Sequence, residues 1–529
     1  MEQTLLDNRP TAEDPPPRRV AVVDIGTTSI RMSIAEISGA RIRTLETLYQ
    51  AVSLGRDTFT TGAIRPATIE ESVRILKSYR QLLEQYEITH PDQIRIVATS
   101  AVHEASNQLH FVDRVYIATG LQVEALDDAE ANRFAYFAVT PVLAHPDLRA
   151  GRTLMIEVGG GNTEVLLLQE GDVLLAHAYR LGSVRLRQTL QAHASASKMR
   201  KMMESEISRA IDQVRGEVAA RGEGPLRMLA LGGGVRFAAE QLVSGSKAEH
   251  PVAVPVAQLA ALTEQIMGMG PDELVRRFHL APPDAETVAP ALLAYVLLAR
   301  ELGLEKIYVT QVNFRDGLLK EMAFRGVWPE EFRGQIIRAA IDLGRRYHFD
   351  EAHGLHTAGL ARQLFQALAS EHGLEPRHEL LLYLAAALHD IGNFINNRSH
   401  HKHSMYLILN GELFGLSRRE VLLVALIARY HRRSSPKPSH EGYMSLDRDD
   451  RITVAKLAAI LRAADALDRS ERQRIDHLEF KRERERFVIT APKVEDVSLE
   501  QLALQQKGAL FQEVFGMPVV LRKGQAERS

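Results

Sequence analysis

Residues 154–168 read LMIEVGGGNTEVLLL, with three consecutive glycines and two glutamates inside an otherwise apolar run. The apolar residues on either side predict two buried strands, and the glycines predict the turn that joins them. Glu157 and Glu164 flank this turn, and they are either solvated hairpin residues or ligands of a cation. We favour the second interpretation, because carboxylate oxygens suit Mg²⁺ and bare glycine amides approach a phosphate closely.

A second stretch, RRVAVVDIGTTSIRMSIAEI from residue 18, repeats this plan of strand, glycine turn and strand. Two such copies predict two related halves that face each other across a cleft. A third loop, in RMLALGGGVRFAAEQL at residues 227–242, enters a helix whose first amides attract an anion. Such a two-lobed phosphate-binding cleft would equally describe actin-like ATPases and sugar kinases.

The candidate residues of the cleft follow from these three loops. Asp24, Glu157 and Glu164 are the candidate Mg²⁺ ligands. The candidate phosphate contacts are Gly26, Thr27, Thr28, Ser29, Arg31, Gly159, Gly160, Gly161, Asn162, Thr163, Gly232, Gly233 and Gly234.

Composition limits the class of protein. The chain has 529 residues, which corresponds to about three or four domains. Lys+Arg 65 against Asp+Glu 67 leaves a formal charge of −2, so the overall charge predicts neither a nucleic-acid nor a membrane partner. The absence of cysteine excludes disulfides and suits a cytoplasmic location. No apolar run approaches the roughly 20 residues of a membrane-spanning helix, so we expect a soluble protein.

Composition shifts predict the order of domains. Residues 1–17 are acidic and proline-rich, which predicts a disordered tail. The two related lobes are predicted over residues 18–140 and 141–328. Residues 329–474 are histidine-rich with apolar residues at helical spacing, which predicts a helical domain. Residues 475–529 predict a small α+β cap.

The segments between the two hairpins carry a more specific pattern. VATSAVHEASNQLHFVDRV at residues 97–115 and VEALDDAEANRFAYFAV at residues 123–139 precede EVGGGNTE, LALGGGVR and NFRDGLL. This order resembles the Ppx/GppA family of exopolyphosphatases and guanosine pentaphosphate phosphohydrolases, over about residues 18 to 325. The resemblance implies an α/β fold with a duplicated RNase H-like pair of lobes, Mg²⁺-dependent hydrolysis of a terminal phosphoanhydride, and a homodimer.

The same resemblance implies a glutamate as general base. Family members carry an acidic pair in the stretch that matches DDAEANRF, and its first member falls on Glu130, which by itself could be an exposed helix residue. The run before it departs from the family pattern, as does Glu157, where aspartate is usual. His103 replaces the usual arginine of the TSA motif and is the remaining candidate phosphate contact. These departures predict reduced turnover, with the fold and the ligand class unchanged.

The histidine-rich region carries a second pattern. ALHDIGN places His389 and Asp390 at the end of an apolar helix, with His353 upstream, Asp465 downstream and His356 as the rival of His353. The order resembles the HD superfamily of metal-dependent phosphohydrolases, which implies an all-α HD domain with a divalent metal. Further contacts to this site or to polyphosphate are predicted for His403, His431, Arg432 and Arg433. The basic residues among them are equally consistent with a solvated face.

Three functions remain open at this stage. The first is an exopolyphosphatase that releases terminal phosphate from inorganic polyphosphate in the cleft, with guanosine pentaphosphate as the alternative substrate. The second is a sensor that binds a nucleotide or polyphosphate with weak turnover. The third places the chemistry in the HD domain, on a nucleotide phosphate.

Overall fold

The computed structural model describes residues 17–39, 41–191, 196–243, 250–432 and 434–524. The chain divides into two compact units, Met1–Arg325 and Gly326–Ser529, which we call unit 1 and unit 2. Nearly all of the predicted tail lies outside the described residues. The predicted lobe and domain boundaries stay predictions.

Unit 1 contains two mixed β-sheets. The first has the strand order β3-β2-β1-β4-β5, with β1 antiparallel to β2 and parallel to β4. Its strands are β1 (Arg18–Ile25), β2 (Ser29–Ser38), β3 (Arg41–Ala51), β4 (Ile94–Ala98) and β5 (Glu124–Ala125).

The second sheet repeats this arrangement with one strand added at its edge. Its strands are β6 (Arg152–Val158), β7 (Thr163–Gln169), β8 (Asp172–Tyr179), β9 (Leu226–Leu231), β10 (Val252–Pro255) and β11 (Lys306–Val309). Their order is β10-β11-β9-β6-β7-β8, where β6 is antiparallel to β7 and parallel to β9. The central strands β1 and β6 therefore hold equivalent places in two copies of one fold.

The helices of unit 1 cover these sheets. Residues of α2 and α4 pack against the first sheet in one apolar core, and residues of α8, α10 and α12 pack against the second in another. The helices are α1 (Leu54–Thr61), α2 (Pro66–Gln85), α3 (Ser100–His103), α4 (Gln108–Thr119), α5 (Asp128–Val139), α6 (Pro146–Arg149), α7 (Ser183–Gln191), α8 (Ala196–Ala220), α9 (Gly233–Leu242), α10 (Val256–Met267), α11 (Pro271–Phe278), α12 (Pro282–Glu301) and α13 (Phe314–Ala323). Pro91–Gln93 and Val142–Ala144 are short 3₁₀ helices.

Burial explains why the polar residues of the central strands are informative. The middle of β1 and almost all of β6 are buried, as expected for strands covered on both faces. Asp24 and Glu157 are the positions near the ends of these strands where burial is incomplete. A carboxylate at that point faces whatever lies beyond the end of the strand.

Unit 2 consists of helices and one small sheet. The helices are α14 (Glu330–Arg346), α15 (Glu351–Ala367), α16 (Ala369–His372), α17 (Arg377–Leu388), α18 (His400–Leu409), α19 (Arg418–Arg429), α20 (Arg448–Leu467), α21 (Ser498–Lys507) and α22 (Ala509–Phe515), with a 3₁₀ turn at Ile391–Phe394. The sheet has the order β12-β13-β14, formed by β12 (Glu479–Glu483), β13 (Arg486–Ala491) and β14 (Val519–Lys523). Among the described residues, no helix is long and apolar enough to cross a membrane.

Candidate functional site

The two glycine turns of unit 1 have the same hydrogen bond. The amide of Gly26 donates to the carbonyl of Ser29 at 2.9 Å, and the amide of Gly159 donates to the carbonyl of Asn162 at 2.9 Å. In each turn, the amides of the residues between the donor and the acceptor take no part in this hydrogen bond. The predicted repeat of the two hairpins is therefore present at the level of individual backbone contacts.

The residues that flank these turns differ in charge between the two copies. Asp24 lies directly opposite Arg31 in the first hairpin, whereas Glu157 lies directly opposite Glu164 in the second. Opposed like charges destabilise a hairpin unless a cation lies between them. The second hairpin therefore concentrates negative charge next to bare glycine amides.

A cavity of about 250 Å³ lies between these hairpins, in unit 1. Its wall also includes Thr99 and Ser100, Ala131 and Ala135 of α5, and Asp284 of α12. The predicted site residues that line it are Asp24, Gly26, Thr27, Thr28, Ser29, Arg31, Glu157, Gly159, Gly160, Gly161, Asn162, Glu164, Gly232, Gly233 and Gly234.

Two predicted phosphate contacts lie outside this wall. The hydroxyl of Thr163 is buried and donates to the carbonyl of Leu181, so it is used within the protein. His103 ends α3, and the wall is formed by Thr99 and Ser100 at the start of that helix instead. One turn of helix separates His103 from the residues of α3 that line the wall, and the roles of Thr163 and His103 stay predictions.

Glu130, the predicted base, also lies outside the cavity wall. It is the third residue of α5, and its carboxylate accepts a hydrogen bond from the Asp127 amide at 3.1 Å in a capping box. Its other oxygen lies 3.9 Å from the Arg133 guanidinium. The next residue, Ala131, lines the cavity in its place. At the cavity, the helix therefore presents the methyl group of Ala131.

The pKa values of the carboxylates Asp24, Glu157 and Glu164 in the wall are raised, and a bound cation would lower them by stabilising the charged form. Burial raises the pKa of Asp24, an effect opposed by Arg315 and Arg31. Burial also raises the pKa of Glu157. It raises the pKa of Glu164 to about 8, and the Glu157 carboxylate adds to that shift. Hard oxygen donors that are costly to ionise without a counter-charge fit a Mg²⁺ ion.

Tyr295 of α12 supports both glycine loops, and no local sequence pattern predicts this role. Its buried hydroxyl accepts a hydrogen bond from the Val158 amide at 2.8 Å and donates to the carbonyl of Leu231. These residues end β6 and β9, immediately before the loops at Gly159 and Gly232. One side chain therefore ties together the starts of two phosphate-facing loops.

Replacing Tyr295 by phenylalanine is expected to lower the free energy of unfolding by about 1–3 kcal/mol, because a buried amide and a buried carbonyl lose their partner. Urea unfolding measures the change. Tyr116→Phe is the matched control, because Tyr116 is 50% exposed and its loss is expected to change stability by less than about 0.5 kcal/mol. Equal effects of the two substitutions would contradict the bridging role.

The triple-glycine loop packs directly on the first hairpin. A Cβ atom added to Gly160 would overlap the Oγ1 atom of Thr27 and lie 2.8 Å from its Cβ atom. A Cβ atom on Gly161 would overlap the Oγ atom of Ser100. Glycine is required at both positions because side-chain atoms of Thr27 and Ser100 lie where a Cβ atom would be.

Gly160→Ala is expected to cost about 1–3 kcal/mol of unfolding free energy through overpacking. Gly233→Ala is the control within the same wall, because its added Cβ atom meets no atom within 4 Å. Urea unfolding of the two variants in parallel measures the difference. Tolerance of Gly160→Ala, with damage from Gly233→Ala, would contradict the packing argument.

Unit 2 brings most of its predicted residues together. His353, His389 and Asp390 have ligand atoms within 4.8 Å of one another, and so do Asp390, His400 and His431. The Asp465 carboxylate lies 4.0 Å from His389 Nε2. The first group contains His353 and not its rival His356.

Three other residues predicted for this cluster, His403, Arg432 and Arg433, lie outside both groups of ligand atoms or outside the described residues. His403 is absent from both groups, and His400, the first residue of the same helix, is present instead. Arg432 is exposed beside His431. Burial lowers the pKa of His401 to about 4, and the charge of Arg432 adds to that shift. Arg433 lies outside the described residues. Residues 400–403 include three histidines, and these differ in the face of the helix on which they lie.

Comparison with family models identifies unit 1. The model of the Ppx/GppA phosphatase family matches residues 33–325, more than half of the chain. The chain belongs to the Ppx/GppA phosphatase family. A second model, Ppx/GppA phosphatase domain III, matches residues 337–508, within unit 2. Ppx/GppA phosphatases hydrolyse phosphoanhydrides, so the chain is a hydrolase of that class.

One curated relative and two solved structures are similar to this chain. A guanosine-5'-triphosphate,3'-diphosphate pyrophosphatase of Pseudoalteromonas translucida is 24% identical over 464 residues, covering 84% of this chain and 86% of the relative. An exopolyphosphatase from Cytophaga hutchinsonii has a TM-score of 0.52 at 20% identity, over 58% of this chain and 98% of its own. An Aquifex aeolicus family member has a TM-score of 0.49 at 22% identity, over 59% of this chain and 100% of its own.

The Cytophaga likeness shows the fold, which is the actin-like ATPase or RNase H-like α/β fold of Ppx/GppA proteins. The predicted family and this part of the predicted fold class are confirmed. The HD domain, the α+β cap and the homodimer stay predictions.

Proposed function

We propose that the cavity of unit 1 releases the terminal phosphate of a linear phosphoanhydride, with inorganic polyphosphate as the first candidate substrate. The observation that carries this proposal is the meeting of Asp24, Glu157 and Glu164 with the glycine turns of both lobes in one cavity wall. Amides and a cation at this place would neutralise the oxygens of a reacting phosphoryl group. Guanosine pentaphosphate is the alternative substrate, which the curated relative supports.

The roles of the wall residues follow from their positions. The amides of the two turns and of the first turn of α9 would hold phosphate oxygens. Asp24 and Glu157 would hold Mg²⁺, which supplies positive charge to the phosphoryl oxygens. Arg31 is fixed by a hydrogen bond from its Nε to Ser29 Oγ at 3.0 Å, and it would hold the phosphate next to the reacting one.

We assign the general base to Glu164, in place of Glu130. Glu164 lies in the wall, directly opposite Glu157 and beyond the end of the glycine turn. Its carboxylate would take a proton from water as the water oxygen bonds to the terminal phosphorus and the bridging P–O bond breaks. The products are inorganic phosphate and a chain shorter by one phosphate unit.

The testing experiment measures phosphate release with Mg²⁺ from long-chain polyphosphate and, separately, from guanosine pentaphosphate. Release from polyphosphate at the higher kcat/KM supports the first candidate, and the reverse preference supports the alternative. Release from neither substrate, with no binding of either, would overturn the proposal.

A weakly active sensor is the second candidate function, because Ala131 leaves no α5 carboxylate in the wall. It predicts binding of both compounds with little phosphate release. In that case Ala131→Glu, which adds a carboxylate at the cavity, is expected to raise the rate. We also expect a homodimer, which sedimentation velocity of the full chain would test.

A further inference from the structure

Each glycine turn of unit 1 is held by the helix that follows the third strand of its sheet in chain order. In the first sheet β3 leads into α1, and in the second sheet β8 leads into α7. The Thr27 carbonyl accepts a hydrogen bond from the Gly55 amide at 2.8 Å, and the Thr28 carbonyl accepts one from the Val52 amide at 2.9 Å. The chain at the start of α1 therefore binds the carbonyls of the first turn.

The start of α7 makes equivalent contacts with the triple-glycine loop. Three backbone amides of this helix donate to two carbonyls of the loop. The hydrogen bonds run from Ser183 to Gly159 at 3.0 Å, and from Val184 and Arg185 to Gly160 at 3.0 and 3.1 Å. A Cβ atom added to Gly182 would overlap the Gly160 carbonyl oxygen, so glycine allows the helix to approach the loop this closely.

Arg185 binds the third carbonyl of this loop with its side chain. Its Nε atom donates to the Gly161 carbonyl at 2.8 Å. Its guanidinium group also forms an ion pair with Glu104 at 2.5 Å, and it lies 4.2 Å from the centroid of the Phe59 ring. Glu104 directly follows α3 and Phe59 belongs to α1, and both helices follow strands of the first sheet. Arg185 therefore connects the glycine loop of the second sheet to elements of the first.

The direction of these carbonyls decides where the loop amides point. In a trans peptide, the carbonyl of one residue and the amide of the next point in opposite directions. Carbonyls that face α7 and the Arg185 side chain therefore turn the amides of Gly160, Gly161 and Asn162 the other way. All three residues line the cavity, and among the described residues no group accepts a hydrogen bond from these amides. The amides are thus available to phosphate oxygens.

We propose that Arg185 is a positioning residue for phosphate in the cavity of unit 1. Its Nε atom fixes the Gly161 carbonyl and so directs the Asn162 amide at the phosphoryl oxygens, while Glu104 and Phe59 hold the guanidinium group in place. The inference rests on the proposed function, because the phosphate belongs to the substrate of that cavity. Preoriented amides stabilise the charge that develops in the transition state, and a loop peptide that is free to rotate loses this contribution.

Arg180 supplies a matched control, because it also pairs with the Glu104 carboxylate. Its side chain is 74% exposed, and its described contacts do not include the glycine loop. Arg185→Gln is expected to lower kcat for phosphate release about 10–10²-fold, with KM changed less than about threefold. Arg180→Gln removes the same charge and is expected to change kcat less than about twofold. Equal losses in the two variants of an active wild type would overturn the positioning role and leave the proposed function standing.

Amide hydrogen exchange tests the same role without turnover. The amides of Val184 and Arg185 donate to the Gly160 carbonyl, so their protection reports the contact between α7 and the loop. Exchange over residues 183–186 is expected to be faster in Arg185→Gln and unchanged in Arg180→Gln. Wild-type protection in Arg185→Gln would overturn the positioning role, whether or not the wild type releases phosphate. A wild type that releases none contradicts the proposed function instead.

Circular dichroism checks that each variant keeps its helical content. If Arg185→Gln loses helical content, Arg185→Lys and Arg180→Lys replace the two glutamine variants in both measurements. Arg185→Lys keeps the charge, but an ammonium group lacks the planar fork that holds Gly161 and Glu104 together. A fall in kcat and faster exchange are therefore still expected in Arg185→Lys alone, and their absence would overturn the proposal.

Discussion

Glu164→Gln is expected to lower the rate of phosphate release by about 10²–10⁴-fold, the usual contribution of a positioned general base. Glutamine keeps the shape of the side chain and its place in the wall, and it removes the ability to take a proton. Because glutamine also ends the charge repulsion with Glu157, the variant is expected to fold at least as stably as the wild type. Phosphate release under saturating substrate, with unfolding midpoints as the fold control, measures both effects.

Glu130→Gln is the matched variant, since it makes the same chemical change at the glutamate that the family resemblance implies as the base. Its carboxylate caps α5 and lies outside the cavity wall. Glutamine also serves at this position of a capping box, so the rate is expected to change by less than about threefold. If Glu130→Gln abolishes release and Glu164→Gln spares it, the assignment of the base is wrong.

The fold of unit 1 was predictable because its decisive signals are local. The turns at Gly26 and Gly159 each follow a continuous apolar strand, and this pattern is visible in a window of about ten residues. The pairing of Glu157 with Glu164 follows from the turn length alone. Most predicted residues of these turns therefore line the cavity.

For the predicted residues on helices, a place in the cavity wall or the histidine cluster depends on which side of the helix they occupy. Glu130 and Ala131 are neighbours in sequence, and a rotation of about 100° per residue points only one of them at the cavity. The capping box formed by Asp127 and Glu130 was nevertheless readable, since an aspartate three residues before a glutamate is a helix-start signature. His400 and His403 present the same difficulty at the start of α18.

Contacts between residues that are far apart in the sequence could not be predicted from local patterns. Tyr295 lies 137 residues from Val158, and Lys507 lies 42 residues from Asp465. Each looks like an ordinary residue of an amphipathic helix until the strand ends or the carboxylate is placed beside it. Long-range contacts of this kind require the packing of whole elements, which local patterns do not specify.

The second large effect is expected in the pH dependence of the rate of phosphate release. Because burial raises the pKa of Glu164 to about 8, the carboxyl is protonated below that pH and cannot act as a base. At low Mg²⁺, the rate is expected to fall about tenfold for each pH unit below 8. A cation beside the carboxylate favours its ionised form, so saturating Mg²⁺ is expected to move this fall in rate to lower pH. Identical profiles at both Mg²⁺ concentrations would contradict this.

The same carboxyl makes stability depend on pH in the opposite sense. Without Mg²⁺ the folded state keeps the Glu164 proton up to about pH 8, whereas the unfolded chain loses it near the ordinary value of 4.5. The folded state therefore binds more protons between these values, and stability is expected to fall as pH rises through this range. Urea unfolding of the metal-free chain at pH 5 and pH 8 measures the loss, and added Mg²⁺ is expected to restore stability mainly at pH 8. In Glu164→Gln this part of the pH dependence is expected to disappear, because no proton remains to be lost.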